Sequence, residues 1–306
     1  FISIAILFIN SLAFVAYADN ENSAVIDKLP KDFSQLKFKE VGSAKFSILF
    51  WDIYNGTLYT KSGGYLHGAS TQSLIFEIEY LKEIEDSAFQ KKEIQPKTIK
   101  KILKIFKEIS DHALEEKIEE IYAVGTSALR TVNNSSWIKK KIKKKTGIKI
   151  KILSGKEEAD LLRYVDCKNY KKPNSLLVDI GGGSTEIFYI DEKGKEYMES
   201  FKLGAVRLYD KRDKKASWLK LEEWLANLPR KNIKNIIGIG GNARSIVKIN
   251  NNKEYLSRKE LYKTYMTLSL MSKDEKINTF SLSDDRADII EYAALIFIVI
   301  LKRFAS

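Results

Sequence analysis

The chain is 306 residues long with 44% hydrophobic and 30% charged residues, a composition typical of globular proteins and long enough for two domains with hydrophobic cores. Its 52 Lys and Arg residues exceed its 40 Asp and Glu residues, and the resulting net charge of +12 favours polyanionic ligands. The single cysteine excludes an internal disulfide, and two histidines are too few for a zinc site of the Cys/His type.

The chain begins with an apolar run. Residues 1–18 end in Ala16-Tyr17-Ala18, before the polar Asp19-Asn20-Glu21. This pattern predicts a secretory signal peptide without its charged start. A membrane helix is the weaker alternative, since a span needs roughly 20 apolar residues, and we expect no stable membrane insertion. A second apolar run, Ala293 to Leu301, is about half that length and predicts a buried helix.

Residues 19–95 form the next segment, in which apolar and polar residues alternate from Leu36 to about Lys91. The alternation predicts antiparallel strands, with turns at Asn55-Gly56 and Gly63-Gly64. Three short stretches carry a family likeness: Phe50-Trp51-Asp52-Ile53-Tyr54, Leu58-Tyr59 and Glu79-Tyr80-Leu81. They resemble the opening part of exported bacterial proteins of the chalcone isomerase-like family.

A boundary is expected near Gln95-Pro96, because apolar residues recur at helical spacing from Thr98 onward. Strands and helices then alternate, which indicates an α/β architecture in two successive units, residues 96–170 and 171–306. The predicted strands are 118–125, 148–153 and 175–180, and the predicted helices are 134–146 and 157–165. The lysines between positions 139 and 145 are interpreted as the solvated face of a helix.

A glycine-rich turn joins the predicted strand 175–180 to a second strand. Its three glycines let the backbone bring consecutive N–H groups close to an anion, and the two hydroxyl residues that follow add donors. Asp179, at the end of the strand, can bind a magnesium ion. A tight hairpin without a ligand is the alternative, but the flanking polar residues favour a phosphate-binding loop. Its predicted residues are Gly181, Gly182, Gly183, Ser184 and Thr185.

The segment from Asp179 to Glu186 resembles the second phosphate loop of the Ppx/GppA phosphatases. Further segments agree in order and spacing: 123–130 with Asn134, 152–159, and 238–244 with 203–207 and 285–288. The resemblance implies an α/β fold of the actin-like (RNase H-like) type, a two-lobed phosphohydrolase. Because it covers about residues 97–305, we expect this fold to be incomplete and preceded by a β-rich partial segment.

The resemblance also implies roles for individual residues. Glu158 would be the general base that deprotonates the attacking water, with Glu157 as the alternative or as a helix-capping residue only. Arg130 would neutralise charge on the transferred phosphoryl group, or else pair with a local carboxylate. Ser127 would donate to the phosphate oxygens.

Weaker expectations concern the metal and a second glycine turn. Glu186 would help Asp179 to position Mg²⁺, the expected cofactor. Gly238, Gly240 and Gly241 resemble a loop that contacts nucleotide in actin-like proteins. The alternative for this turn is close packing of a strand against a helix.

One motif of the family is expected to be missing. Family members begin with a strand and an Asp-x-Gly-Ser-Asn-Ser turn, the first phosphate loop. The nearest candidate, residues 51–57, places Ile53 and Tyr54 where small residues must let the backbone approach phosphate, so we reject it. The chain is therefore interpreted as a fusion of two partial domains or as a composite of two fragments.

The leading functional hypothesis is a phosphohydrolase that releases terminal phosphate from polyphosphate or guanosine pentaphosphate, impaired by loss of the first loop. The alternatives are a non-enzymatic phosphate or nucleotide binder, and an exported chalcone isomerase-like protein with an inert second half. No specific nucleic acid partner is expected, and a homodimer is compatible with the sequence. The hydrolase half predicts the cytoplasm, whereas the signal-like start predicts export.

Overall fold

The computed structural model describes residues 3–6, 14–15, 39–48, 51–60, 74–80, 91–115, 120–164, 175–229, 233, 235–253 and 255–304. The chain divides into two compact units. The first consists of Phe1–Ser154 and Tyr164–Asp166, and the second of Gly155–Arg163 and Cys167–Ser306.

The first unit is built on a mixed β-sheet. Its described strands are β1 (Ser3–Ile6), β2 (Phe14–Val15), β3 (Lys39–Ile48), β4 (Trp51–Thr60), β5 (Leu74–Tyr80), β6 (Glu120–Gly125) and β7 (Lys149–Ile152). They lie in the order β3-β4-β5-β2-β1-β6-β7. Strands β1, β6 and β7 pair in parallel, whereas the pairs from β3 to β1 are antiparallel. The predicted antiparallel strands and the predicted strand near residue 120 are therefore confirmed.

The predicted turn at Asn55-Gly56 is wrong, because both residues lie inside β4. Asn55 pairs with Lys45 on one side and Glu79 on the other, so the local turn preference is overridden by strand pairing on both edges. The connection between β3 and β4 is instead at residues 49–50, since Ile48 pairs with Trp51. The other predicted turn, Gly63-Gly64, lies outside the described residues.

The apolar start of the chain contributes two strands to this sheet. Residues 3–6 pair in parallel with residues 120–123 of β6, and Ala5 pairs with Val15 of β2. The expectation that this unit lacks a first strand is therefore wrong. The connection 7–13, and with it the question of a first phosphate loop, lies outside the described residues. The signal-peptide interpretation stays a prediction, and cleavage after Ala18 would remove both strands from the sheet.

Three helices of the described chain belong to the first unit: α1 (Pro96–Glu115), α2 (Ser127–Thr131) and α3 (Ser135–Thr146). Helix α1 buries the apolar residues that predicted it, among them Ile102, Ile105 and Phe106. Helix α3 buries Ile138 and Ile142 and turns most of its lysines outward, which confirms the solvated lysine face. Amphipathic spacing thus placed both helices correctly.

The second unit is built on a smaller sheet in the order β10-β9-β8-β11. Its strands are β8 (Ser175–Ile180), β9 (Thr185–Ile190), β10 (Glu196–Phe201) and β11 (Asn235–Ile239). Its helices are α4 (Gly155–Asp160), followed by a 3₁₀ turn (Leu161–Tyr164), α5 (Ala205–Tyr209), α6 (Lys215–Ala226), α7 (Gly240–Ile249), α8 (Arg258–Leu270), α9 (Lys273–Phe280) and α10 (Asp284–Phe304). Strand β8 pairs in parallel with β11 and antiparallel with β9.

Helix α10 forms much of the core of the second unit. It packs against α5, α7 and α8, and it contains the apolar run predicted to be a buried helix. Its buried residues are Ala287, Ile289, Ile290, Ala293, Ala294, Ile296, Phe297 and Ile300. None of the helices in the described ranges combines the length and the apolar character needed to span a membrane.

Helix α8 begins with a capping box that predicts a pH effect on stability. Ser257 is the N-cap, and its side chain accepts from the Glu260 N–H while the Glu260 carboxylate accepts from the Ser257 N–H. A hydrogen bond from Lys253, followed by those from Ser257, lowers the Glu260 pKa from 4.5 to about 2. Stability from this carboxylate is thus fully present above the unfolded pKa and is lost as the pH falls through about 2.

We therefore expect Glu260→Gln to lower the Tm at pH 7 and the difference from wild type to shrink steadily as the pH falls below about 4.5. Thermal unfolding followed by circular dichroism between pH 7 and pH 3 measures this. Glu222→Gln, at an exposed position of α6, is the control. A Tm difference that stays constant with pH would contradict the assignment.

Candidate phosphate-binding site

The glycine loop, residues 181–184, connects β8 to β9 and is closed by its own hydrogen bond. The Gly181 N–H donates to the Ser184 carbonyl at 2.9 Å. The Thr185 hydroxyl donates to the Leu203 carbonyl at 2.6 Å and is fully buried. The Thr185 hydroxyl therefore holds the end of the loop in place, and its proton is not available to a ligand.

The first turn of α5 holds the carbonyl groups of the loop. The Ala205 N–H donates to Gly181 O at 2.8 Å, and the Arg207 N–H donates to Gly182 O at 3.0 Å. The Arg207 Nε–H donates to Gly183 O at 2.9 Å. Three consecutive carbonyls are therefore directed towards α5. Each peptide unit is planar and trans, so its N–H group points away from its carbonyl.

The loop retains donors for an anion. Among the described residues, the backbone N–H groups of Gly182, Gly183 and Ser184 have no carbonyl partner. The Ser184 Oγ is buried and has no hydrogen-bond partner within the same ranges. Consecutive N–H groups and a hydroxyl in one tight turn form a concave anion-binding arrangement. The loop thus presents donors that suit an anion, and phosphate binding by these residues stays a prediction.

Two acidic residues lie side by side at the base of the loop. Asp179 of β8 and Glu186 of β9 are direct partners in the antiparallel register, which puts their side chains on the same face of the sheet. Each is only 1% exposed. The Ser200 hydroxyl of β10 donates to Glu186 Oε1 at 2.7 Å. Two neighbouring buried carboxylates repel each other, and a cation between or beside them offsets that repulsion.

The donor set fits Mg²⁺. Carboxylate oxygens are its preferred protein ligands, and it usually takes one or two of them together with waters and substrate phosphates. Across the described ranges, no group of three or more His, Cys, Asp or Glu side chains could hold a metal ion. Magnesium binding by Asp179 and Glu186 stays a prediction.

The second glycine turn packs tightly over the end of β8. Gly240 is the first residue of α7 and has φ of 80°, and a Cβ there would lie 2.4 Å from Asp179 Oδ1. A Cβ on Gly238 would lie 3.0 Å from Ala243 Cβ and Phe297 Cζ. Close packing therefore accounts for Gly238 and Gly240, while nucleotide contact by this turn, Gly241 included, stays a prediction.

Helix α4 places the two candidate bases differently. Glu158 is 1% exposed, whereas Glu157 is half-buried. The helix packs against β9 and β10, and its first residue, Gly155, has room only for hydrogen, since a Cβ would lie 2.8 Å from the Ser200 Oγ. Ser200 is the residue that binds Glu186. The start of α4 therefore lies beside the carboxylate pair, and Glu158 is the buried member of the two.

Ser127 and Arg130 belong to the first unit. They lie on α2, directly after β6. The Arg130 Nη1 donates to the Leu153 carbonyl at 2.7 Å, which ties α2 to the end of β7. Ser127 is buried, and its carbonyl accepts from the Thr131 hydroxyl at 2.7 Å. The structure thus describes these two residues in a different unit from the glycine loop, and their roles towards phosphate stay predictions.

A model of the Ppx/GppA phosphatase family matches residues 69–306 of this chain. The chain belongs to the Ppx/GppA phosphatase family. The prediction of the family is therefore confirmed, and the match begins inside the segment 19–95 that the sequence analysis treats as separate. The likeness of that segment to chalcone isomerase-like proteins stays a prediction.

Individual proteins are similar to parts of this chain. The bifunctional 3-dehydroquinate synthase/phosphatase of Fusobacterium nucleatum is 29% identical over 256 residues, covering 74% of this chain and 37% of that protein. Exopolyphosphatase 1 of Mycobacterium tuberculosis is 31% identical over 110 residues, covering 35% of this chain and 32% of that protein. The chain spans about a third of the length of these relatives.

A solved structure shows the same fold. The exopolyphosphatase from Cytophaga hutchinsonii superposes with a TM-score of 0.62 at 20% identity, covering 83% of this chain and 88% of that chain. The α/β, actin-like fold expected from the resemblance is therefore confirmed.

Several residues that contact the glycine loop or its neighbouring carboxylates are not predicted from the sequence. They are Arg207 and Asn242, which donate to backbone carbonyls of the loop and of its entrance, Gly204, where a Cβ would meet Gly182 O, Arg286, which donates to Asn242, and Ser200, which donates to Glu186. Arg207 donates a hydrogen bond to the Gly183 carbonyl, 24 positions earlier in the sequence, and Asn242 donates one to the Ile180 carbonyl, 62 positions earlier. Neither hydrophobic periodicity nor a local motif reports contacts over such separations. The only signal is that residues 203–207, 238–244 and 285–288 belong to the segments that carry the family resemblance.

Proposed function

We propose that this chain is a magnesium-assisted phosphohydrolase that releases the terminal phosphate of inorganic polyphosphate or guanosine pentaphosphate. The observation that carries the proposal is the glycine loop, with its available N–H groups and Ser184 hydroxyl, directly above the opposed carboxylates of Asp179 and Glu186. An anion-binding turn and a candidate cation site next to each other are two of the elements that phosphoryl-transfer sites use.

Each residue of this arrangement has a proposed task. The N–H groups of Gly182, Gly183 and Ser184 bind oxygens of a phosphate group and hold it for attack. Asp179 and Glu186 would hold Mg²⁺, which neutralises charge on the phosphate oxygens when it is bound. Glu158, on α4, orients the attacking water and accepts its proton.

The reaction balances without a redox partner. The water oxygen forms a bond to the terminal phosphorus, and the bond from that phosphorus to the bridging oxygen of the next phosphate breaks. The shortened chain leaves with the electron pair of that bond. Glu158 receives one proton from the water, and inorganic phosphate is released. Charge stabilisation by Arg130 and hydrogen bonding by Ser127 are proposed from the family resemblance alone.

Phosphate release tests the proposal. The purified chain is incubated with polyphosphate or guanosine pentaphosphate, with Mg²⁺ or with a chelator, and free phosphate is measured. We expect release that requires Mg²⁺ and falls by about 100-fold or more in Asp179→Asn, since one preorganised charged group typically contributes that much. Asp274→Asn, an exposed position on α9, is the matched control. Absence of release by folded wild-type chain on both substrates would overturn the proposal.

A second candidate function is phosphate binding without turnover. Residues 7–13, which connect β1 to β2, contain neither glycine nor aspartate, unlike the Asp-x-Gly-Ser-Asn-Ser turn of the family. The glycine loop 181–184 would then bind phosphate without an opposing loop. Calorimetry with polyphosphate distinguishes this outcome: binding that weakens with added salt, together with no phosphate release, supports a binder.

A further inference from the structure

We propose that Asn242 and Arg286 are positioning residues that fix the orientation of the glycine loop, an inference that rests on the proposed function of that loop. Both lie outside the loop, on α7 and α10. They act through one peptide bond, the bond between Ile180 and Gly181, where β8 enters the turn.

This peptide bond is held at both of its polar ends. The Asn242 Nδ2 donates to the Ile180 carbonyl at 2.7 Å, and the Gly181 N–H of the same peptide donates to Ser184 O at 2.9 Å. Rotation of the Ile180–Gly181 peptide would break both bonds at once. Glycine allows such rotation at little steric cost, so an external restraint is needed where a single orientation matters.

Arg286 determines which way the Asn242 amide points. Its Nη1 donates to Asn242 Oδ1 at 2.5 Å, and a guanidinium has donors but no acceptor. Only the amide oxygen can therefore face Arg286, and the amide NH₂ must face the Ile180 carbonyl. Asn242 is 3% exposed, so water does not offer it an alternative partner. Arg286 thus fixes Asn242, and Asn242 fixes the entrance to the loop.

The helix turn that carries Arg286 is held in place by ion pairs. Lys273, at the start of α9, donates to Asp284 at 2.6 Å and to Asp288 at 3.0 Å, the residues that flank Arg286 on the first turns of α10. The orientation of the loop is therefore connected, through Arg286, to the corner between α9 and α10. Loss of the hydrogen bond from Asn242 or of the one from Arg286 is expected to make the glycine loop more mobile without removing any group proposed to contact phosphate.

Asn242→Asp is the decisive variant. The side chain keeps its shape and its acceptor towards Arg286, but an oxygen replaces the NH₂ group that faces the Ile180 carbonyl. We expect exchange of the hydrogen-bonded Gly181 amide, followed in a peptide that begins before residue 178 and ends at residue 185, to become about tenfold faster or more, while a peptide from the core of α10 is unchanged. For phosphate release, we expect kcat to fall by about 10- to 100-fold with KM changed much less, since misplacement of catalytic donors affects the transition state most.

Two further variants separate positioning from general stability. Arg286→Lys keeps a charged donor and is expected to retain most of the protection of the Gly181 amide, whereas Arg286→Met is expected to lose it. Lys248→Met, an exposed position on α7, is the control and is expected to match wild type.

Unchanged exchange of the Gly181 amide in folded Asn242→Asp would overturn the inference, whatever the activity. Faster exchange spread equally over the whole second unit would also overturn it, since that pattern reports general destabilisation. If the wild type releases no phosphate, the proposed function fails, but the exchange measurement still decides whether these residues hold the loop.

Discussion

Replacing Glu158 with Gln is expected to lower the rate of phosphate release by about 100- to 10,000-fold, the usual contribution of a general base. Replacing its neighbour Glu157 with Gln is expected to leave the rate within about threefold of wild type, since a carboxylate in the first turn of a helix typically contributes only about 0.3–1 kcal/mol through the helix N-terminus. The pair is a sharp comparison because the two residues are adjacent on α4 and undergo the same chemical change.

The structure explains the expected difference through burial. Glu158 is 1% exposed, and it lies on the helix that packs against β9 and β10, the strands that carry Glu186 and Ser200. Glu157 is half-buried in the first turn, where a carboxylate also interacts favourably with the helix N-terminus. Gln keeps the size of Glu158 and its ability to accept a hydrogen bond, but it cannot take a proton from water.

Steady-state kinetics with polyphosphate and Mg²⁺ measures the effect, and thermal unfolding shows whether each variant is folded. A loss of kcat at unchanged KM in Glu158→Gln would support a role in the chemical step. Near wild-type kcat in folded Glu158→Gln would contradict the assignment, and a large loss in Glu157→Gln instead would move the role of base to that residue.

Some elements could be predicted from sequence because their local signals agree with their tertiary environment, whereas the predicted helix 157–165 is an α-helix only at Gly155–Asp160 and continues as a 3₁₀ turn. The predicted strand 175–180 coincides with β8, and all six of its residues are buried, including the polar Ser175 and Asp179. The predicted helix 134–146 coincides with α3 to within a residue. Where periodicity and burial point to the same element, a single sequence is sufficient.

The start of the chain shows why prediction from local sequence patterns fails for other elements. A short apolar run is compatible with a signal peptide and with a buried strand, and periodicity does not distinguish them. Residues 3–6 form β1 through parallel pairing with β6, more than 110 positions later in the sequence. Nothing local in the run reports that partner. Asn55-Gly56 is the corresponding case inside β4, where pairing on both sides outweighs a strong turn signal.

In the candidate site, too, some residues can be predicted from the sequence and others cannot. The glycine loop and Asp179 are predictable because they form one continuous segment with a chemical pattern. The opposition of Asp179 to Glu186 depends on the register across a tight turn, which the sequence suggests only through the length of that turn. The groups that orient the loop, Arg207 and Asn242, come from distant segments and become visible only in the fold.

The second large effect is expected at Gly204, where substitution by Ala should both destabilise the second unit and abolish most activity. Gly204 has φ of −155° and ψ of 159°, an extended conformation that any residue adopts. Glycine is required at this position because there is no room for a side chain. A Cβ there would lie 2.3 Å from Gly182 O, 2.5 Å from Gly182 C and 2.6 Å from Gly183 N. These are backbone atoms of the glycine loop, so no side-chain rotation relieves the contact.

The clash can be relieved only if the loop and the start of α5 move apart. That movement would break the bonds from Ala205 and Arg207 to the loop carbonyls, which keep the N–H groups of the loop directed towards a ligand. Overpacking of this kind typically costs about 1–3 kcal/mol, and misplacement of catalytic donors by about 1 Å can lower the rate by about 100-fold. We therefore expect Gly204→Ala to lower the Tm by several degrees and kcat by about 100-fold or more.

Gly194→Ala is the control that separates a backbone effect from this contact. Gly194 has φ of 77° in the turn between β9 and β10, and a Cβ there meets nothing within 4 Å. The left-handed conformation costs a non-glycine residue roughly 1–2 kcal/mol, so Gly194→Ala is expected to lower the Tm while kcat stays near wild type. Thermal unfolding and phosphate release on both variants give the comparison. If Gly204→Ala lost no more kcat than Gly194→Ala at a similar loss of stability, α5 would not control the loop. The catalytic geometry would then depend on β8 and β9 alone, because these strands hold Asp179 and Glu186 opposite each other without any contribution from α5.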